Sequence, residues 1–559
     1  MYIKRLKINN FRGIKELNWK LTNKFICLIG PGDSTKTTIL DAIEWALYPY
    51  WNINVNDCDF YNCDVNNNIK IEITIGDFPD ELIKEENYGL FLRKDIENEQ
   101  ENDEPTDEEV FLTIRLEINK YYEQEWTVVN NRTEGKKISV KDRMKLRVGR
   151  IGEYFYKDFN LGRNSVLKKY GDNLDDLDKI ILNIYRKLKD GIDISEEEEL
   201  KKIIENISDA TKEYGIAPNN LFNAKIDIKN SELGYSNINI YDGQVPVVSK
   251  GTGTKRLMSS AMNISRLNKD ACILIDEIEY GLEPYRLRRL IRNLYNSKEE
   301  RQIIFTSHSP VSIVEINSSN IVICRSNNGK TECIDVPNQL QSTVRVIPEA
   351  LLSRKVIVTE GKTELGLIRS LDRKWGQDDK FIEYYGVSIV DGNGGVQACK
   401  RAKELNELGY NVLILIDSDD SNALNDAKKI EKLGIKTISW DGNVSTEERI
   451  FLDIPKDKIQ ILIDEAVKFF TEETIKQWIK VEINKETIQY KDIESELGEQ
   501  ETRKLIGRLA KKKEWYKRID KGEILGDIIK DCYDMFNKEC DIIKKLEEVK
   551  DWSYEGWYR

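Results

Sequence analysis

Hydrophobic and polar positions change period several times along the chain. The opening MYIKRLKINNFRGI alternates apolar and polar residues, which predicts a strand with one buried face. FICLIG is a continuous apolar run and predicts a strand buried on both faces. Next, Ile39, Leu40, Ile43 and Leu47 fall on one stripe of a helix. Ile69, Ile71, Ile73 and Ile75 then alternate strictly, and VFLTIRLEI and EWTVVNN continue as strands of a meander. The stretch 95–109 is acidic and broken by proline, so a solvated loop is expected there. From 165 to 215 the period becomes helical. Inserted in an α/β domain, such a segment is a candidate dimer contact.

At 355 the texture changes. KVIVTEG, GVSIVDG, NVLILIDSD and KTISW read as strands, separated by the helical patterns TELGLIRSL, VQACKRAKELNEL and NALNDAKKIEKLG. Strict alternation of strand and helix implies a parallel sheet with crossover helices. A domain boundary is therefore expected near 335–354. Beyond about 455 the pattern is helical and strongly charged.

Composition narrows the chemistry. A chain of 559 residues has room for several domains, and a net charge of -12 confines any nucleic-acid binding to local basic patches. There is no apolar run of 18 residues, and the charged start is unlike a signal peptide, so a cytoplasmic protein with no membrane association is expected. The nine cysteines are scattered without a C-x-x-C pair and are expected to be free thiols. The single histidine, His308, excludes mechanisms that need two imidazoles and most zinc sites.

GPGDSTKTT, residues 30 to 38, lies between the buried strand and the first helix, where a phosphate-binding loop belongs. Its candidate nucleotide ligands are Gly30, Gly32, Asp33, Ser34, Thr35, Lys36, Thr37 and Thr38. Backbone N–H groups cradle phosphate, Lys36 supplies charge and Thr37 a hydroxyl for Mg²⁺. Thr35 occupies the position of the usual last glycine. Nucleotide binding is expected to survive that, with slower turnover. ACILIDEIEYGLEP ends a strand in Asp276, a candidate for the Mg²⁺ shell, and Glu277, a candidate to polarise the attacking water. RQIIFTSHSP ends another strand at His308, placed to sense a γ-phosphate. SKGTGTKRL offers Ser249 and Gly251 as a signature loop that contacts nucleotide on a facing protomer.

The second half carries acids. Glu360, Asp391 and the pair Asp417 and Asp419 stand at strand ends, and carboxylates at the carboxyl ends of parallel strands converge on the sheet's crevice. Such a set points to Mg²⁺ or Mn²⁺, with two ions serving phosphodiester cleavage. KKKEWYKRIDK interleaves Lys511, Lys512, Lys513, Lys517 and Arg518 with Trp515 and Tyr516, a pattern that fits either a nucleic-acid surface or a solvated helix end.

VTEGKTE followed by LIDSD resembles the Toprim domain. A cassette ATPase joined in this order to a Toprim domain resembles the OLD (overcoming lysogenization defect) family of ATP-dependent nucleases, and DFNLGRNSVLKKY and SKGTGTKRL are similar to that family as well. The Gabija nuclease subunit and retron-associated effectors share the architecture. The resemblance implies an α/β fold: an ABC-type ATPase with a helical dimerisation insertion, then a Toprim domain with a parallel sheet and a helical C-terminal region. The expected divisions are 1–164 and 216–345 for the ATPase, 165–215 for the insertion, 346–455 for the Toprim core and 456–559 for the helical remainder. It implies Glu360, Glu364, Asp417 and Asp419 as metal ligands, a later acid at Glu447 or Glu448, and a basic residue near the C-terminal end, for which Lys521 is the candidate. The function implied is an ATP-regulated, metal-dependent endonuclease, acting on DNA in defence against phage or plasmids. It would be a homodimer or tetramer, with a helicase-like or a reverse-transcriptase and small-DNA partner. A tRNA-cleaving effector and a non-catalytic ATP-driven sensor are the alternatives.

Overall fold

In the computed structural model the described residues are 1–84, 87–93, 110–146, 148–152, 159, 197–216, 222–226, 238–266, 271–297, 301–376, 381–483 and 500–555. The acidic stretch 95–109 and most of 158–196 therefore lie outside them. The chain is α/β and divides into two compact units, Met1–Gln339 and Leu340–Arg559.

The first unit is built on a twelve-stranded sheet. Its strands are β1 (Tyr2–Phe11), β2 (Ile14–Lys20), β3 (Phe25–Ile29), β4 (Ile69–Gly76), β5 (Phe111–Ile118), β6 (Gln124–Val129), β7 (Lys136–Lys137) and β8 (Val148–Ile151). A separate three-stranded sheet holds β9 (Phe222–Ile226), β10 (Ile238–Asp242) and β11 (Val245–Pro246), after which β12 (Cys272–Ile275), β13 (Ile303–Thr306), β14 (Ile321–Asn327) and β15 (Lys330–Asp335) complete the large one. The order is β7-β6-β5-β4-β1-β2-β15-β14-β3-β13-β12-β8. One half is an antiparallel meander with alternating burial. In the other, β14, β3, β13, β12 and β8 run parallel. Every residue of β3, β12 and β13 is buried, as continuous apolar runs covered on both faces require. Parallel strands end at one edge, so the loops after β3, β12 and β13 meet there.

The helix Glu198–Glu213 is the described part of the expected insertion. Its stripe Leu200, Ile203 and Ile207 packs with Phe222, Ala224, Ile240, Met258 and Met262 inside the unit. The apolar stripe of this helix is therefore covered within its own unit, while the rest of the expected insertion, 165–196, lies outside the described residues.

The second unit has a four-stranded parallel sheet, β16 (Lys355–Thr359), β17 (Val387–Asp391), β18 (Asn411–Ile416) and β19 (Lys436–Ser439), in the order β17-β16-β18-β19. Crossover helices Lys362–Trp375, Gly395–Glu407 and Ser421–Glu431 connect the strands. The helix Ile519–Asp531 packs closely on Lys362–Trp375. Added β-carbons at Gly366 and Gly522 would lie 2.3 Å from the Ile519 carbonyl oxygen and 2.5 Å from that of Thr363.

Candidate nucleotide and acidic sites

After β3 the chain turns at Gly30, whose φ of 140° is open to glycine, and where a β-carbon would sit 2.4 Å from the Cys324 carbonyl oxygen. Gly32, Asp33 and Thr37 are exposed, Thr35 and Thr38 partly so, while Ser34 and Lys36 are buried. Lys36 donates from Nζ to Gly30 O at 3.1 Å, Pro31 O at 2.9 Å and Ser34 Oγ at 3.0 Å. Burial lowers its pKa. Thr35 is the N-cap of the helix Lys36–Ala46 at φ 65° and ψ 14°, the left-handed region. Its methyl faces Gly13, where an added β-carbon would lie 3.2 Å from Thr35 Cγ2. Its hydroxyl donates to Ser34 O at 2.7 Å and lies 3.2 Å from Thr331 Oγ1.

Asp276 follows β12. Its Oδ1 accepts from Thr306 Oγ1 at 2.7 Å and Thr37 Oγ1 at 3.2 Å, so the phosphate-binding loop and the next two strand ends meet on one carboxylate oxygen. Glu277, at φ 44°, donates its backbone N–H to Thr306 Oγ1 at 2.8 Å. Arg256, on the helix Thr252–Arg266, is fully buried and donates to the backbone oxygens of Gly152, Asp276 and Glu277. His308 is exposed at the edge of the site, beside Lys36. Glu279 accepts from its backbone N–H and from Ser307 Oγ. Partial desolvation and the Lys36 charge lower the imidazole pKa. Ser249 and Gly251 are exposed at the start of the helix Thr252–Arg266, where they touch none of these groups by hydrogen bond.

In the second unit the acids gather after β16 and β18. Glu360 Oε2 accepts the Asp417 N–H at 2.8 Å. Asp417 Oδ1 accepts from the Thr446 N–H and Oγ1, both at 2.8 Å. Glu447 lies on the helix Thr446–Asp453 and accepts from Thr363 Oγ1 at 3.2 Å. Glu364 Oε2 accepts from the Gly361 N–H at 2.8 Å and closes the first turn of its helix. Burial, with the charge of Asp417 next, pushes Glu360 and Glu447 up to about 7 and holds Glu364 well above the usual carboxylate range. Asp417 is raised by burial too, against the pull of Lys511. Lys511, at the end of the helix Gln500–Lys512, reaches Asp417 Oδ2 at 3.0 Å and the two Asp419 oxygens at 3.0 and 2.8 Å. Burial opposes its charge, but Asp417 and Asp419 hold the ammonium protonated well above the usual lysine range.

Several expectations are corrected by this geometry. Lys521 is buried with its ammonium over the rings of Phe469 and Phe470, at 4.4 and 5.0 Å, so the lysine among the acids is Lys511. Glu448 is tied to the Ser445 N–H at 3.0 Å and to Arg508 at 3.2 Å, which leaves Glu447 as the acid beside Asp417. Asp391 caps the Asn393 N–H at 2.8 Å and lines a separate cavity with Lys362 and Arg345. Trp515 and Tyr516 are completely buried in the second unit's core and cannot stack on bases. Of their basic neighbours, Lys512 lies 3.8 Å from Glu482, Lys517 3.4 Å from Glu514 and Arg518 3.0 Å from Asp520, while Lys513 covers the Trp478 ring. Reasoning from sequence missed Arg150, Arg256, Glu279 and Thr446. Two of them had a signal, Glu279 as the third acid of DEIE and Arg256 in the basic end of SKGTGTKRL.

Two family models match the chain. One, described as "AAA domain, putative AbiEii toxin, Type IV TA system", covers residues 25–315. The other, "Overcoming lysogenization defect protein-like, TOPRIM domain", covers 351–419. No curated protein matches. Among solved structures, the chain is 14% identical to an Smc head bound to the C-winged helix domain of ScpA, with a TM-score of 0.37 over 61% of this chain and 100% of that one. It is 14% identical to a Pyrococcus furiosus Smc head with an extended coiled coil bound to the C-terminal domain of ScpA (TM-score 0.38; 62% and 99%) and to the SMC head from Thermotoga maritima (0.32; 60% and 100%). Scores of this size carry no argument about function.

Proposed function

We propose that this chain, which belongs to the family of AAA ATPases followed by an OLD-like Toprim domain, is an ATP-regulated, divalent-metal-dependent nuclease that cleaves nucleic-acid phosphodiesters, with DNA as first substrate and antiphage or anti-plasmid defence as its role. One observation supports the metal-dependent reading above the rest. Glu360, Glu364, Asp417 and Glu447 crowd together with raised pKa values, and Lys511 is the cation drawn into them. An all-oxygen donor set short of positive charge fits a hard cation such as Mg²⁺ or Mn²⁺. Among the described residues no group of three acids, histidines or cysteines stands close enough to hold a metal ion, so a cation would draw acids of this cluster nearer to one another. Bound there, the cation would supply an activated water and charge for the leaving oxygen.

The chain's own groups have separate tasks in this reading. Thr446 orients Asp417 through two hydrogen bonds, and the Asp417 N–H orients Glu360. Lys511 stays charged at any working pH and lies beside the acids, where it can neutralise a phosphate oxygen as negative charge builds. In the first unit, Lys36 and Thr37 would bind nucleotide phosphates, Asp276 would help to hold a Mg²⁺ ion, and Glu277 would polarise water. Ser249 and Gly251 serve the nucleotide of a facing protomer.

Incubation of purified protein with supercoiled DNA, linear DNA and tRNA, with and without Mg²⁺ and ATP, tests this. Nicking or linearisation that needs Mg²⁺ and falls at least about a hundredfold in Glu360→Gln is expected, as for loss of a major transition-state stabiliser. Full cleavage in EDTA, or cleavage of tRNA alone, would overturn the metal or the DNA reading respectively.

A further inference from the structure

Arg150 stands on β8, the edge strand beside β12, in register with Leu274. Parallel pairing thereby carries its side chain toward the same sheet edge as Asp276. Its Nη2 donates to Asp276 Oδ2 at 2.8 Å and to Asp41 Oδ1 at 3.0 Å on the helix that follows the phosphate-binding loop. Asp41 is held from its other oxygen by Arg12, which also grips Asp59 at 2.9 Å. Both hydrogen bonds leave from Nη2, with Nε 4.0 Å from Glu44 Oε2, so the guanidinium is anchored within one contact of the acid to which Thr37 donates. Yet Arg150 Nη1 is buried and has no hydrogen-bond partner among the described residues. A guanidinium carries five donors and recognises phosphate in fork geometry. A buried donor left without an acceptor is costly and calls for a ligand or a functional explanation.

We propose that Arg150 is a nucleotide-binding residue that favours a nucleoside triphosphate over the diphosphate, by turning its unpartnered Nη1 to the terminal phosphate while Asp41 and Asp276 hold Nη2. The proposal rests on the reading of the first unit as an ATP site. It assigns to the edge strand a cation supplied by the same chain, in addition to Lys36. Lys36 is folded into the loop itself, against Gly30, Pro31 and Ser34, and would serve both nucleotides, whereas Arg150 joins the site through Asp276, the acid to which Thr37 also donates.

The test is calorimetric titration of full-length protein, Arg150→Gln and Arg150→Lys with ATPγS and with ADP, both in Mg²⁺. The Gln variant is expected to lose about tenfold or more in ATPγS affinity, the scale of one charge-assisted hydrogen bond, with ADP affinity within about threefold. Lys is expected to recover part of the ratio, since it keeps the charge and loses the fork. Should Gln fail to fold, a Lys variant with the wild-type ratio of ATPγS to ADP affinity overturns the proposal. Equal losses for both nucleotides also overturn it, because a purely structural clamp would weaken both alike. Wild-type protein that binds neither nucleotide removes the ATP site itself and the assignment with it, a result distinct from unchanged discrimination in a protein that binds both.

Discussion

Thr35 holds a left-handed backbone conformation that costs a β-branched residue about 1–2 kcal/mol. Two features offset it. Gly13 leaves space for the methyl, and the hydroxyl bonds to Ser34 O and Thr331 Oγ1. Thr35→Gly therefore relieves strain and loses two hydrogen bonds, so stability should change by less than about 1 kcal/mol. Nucleotide affinity by titration should be equal or better, and a fivefold loss would mean that the Thr35 side chain is itself used in binding. His308 allows a second test at this scale. Partial desolvation and the nearby Lys36 charge favour its neutral ring in the free protein. A phosphate dianion within reach favours the protonated ring, so the pKa should rise when ATPγS binds and rise less with ADP. As the chain's one imidazole, it can be followed by NMR without assignment. A shift indifferent to nucleotide would remove the γ-phosphate role. Which residues were legible follows from what they do. Asp276, Glu360 and Asp417 end buried apolar runs, and such ends are visible in sequence. Lys511 and Lys521 are both lysines in basic helical stretches, and no period in the sequence tells which ammonium meets the acids. Arg150 carried no signal, because its importance comes from the strand that lies next to it.

At the scale of elements, strands were easier to read than helix pairings. The buried runs of β3, β12, β13, β16 and β18 and the alternation of β4 appear where hydrophobic period places them. Trp515 and Tyr516 were ambiguous for a physical reason: aromatics between lysines describe a stacking surface and an amphipathic helix end equally well. The pairing of Lys362–Trp375 with Ile519–Asp531 joins segments more than 140 positions apart by glycine contact, which no local pattern encodes. That contact is testable. A methyl at Gly366 would stand 2.3 Å from the Ile519 carbonyl oxygen and 2.7 Å from the Glu523 nitrogen, both backbone atoms that cannot swing aside. Gly366→Ala should destabilise the second unit by about 1–3 kcal/mol through overpacking, despite alanine's better helix propensity. A melting curve unchanged or raised would show that the two helices slide apart at little cost.

At the scale of the whole molecule, the proposed role of Ser249 and Gly251 implies a second chain. The proposed phosphate ligands Lys36 and Thr37, the acid Asp276 and the edge residue His308 come together at one sheet edge. Ser249 and Gly251 make no hydrogen bond to them and are exposed at a helix start, and a β-carbon at Gly251 would meet nothing within 4 Å. Exposed backbone donors at the start of a fifteen-residue helix attract phosphate, but none of the nucleotide ligands of their own unit is bonded to them. A second copy, turned so that its signature loop faces the first copy's nucleotide, uses both features twice and gives a closed two-fold assembly. The helix Glu198–Glu213 keeps its apolar stripe covered within its own unit. Association should therefore depend on nucleotide. With ATPγS and Mg²⁺, light scattering should report a mass of at least two 65.0 kDa chains, and Gly251→Asp should reduce it by setting negative charge against phosphate. Lys36→Ala should do the same by abolishing nucleotide binding. A mass of one chain under every condition would leave Ser249 and Gly251 without a nucleotide to contact, and a mass unmoved by either substitution would place the interface elsewhere.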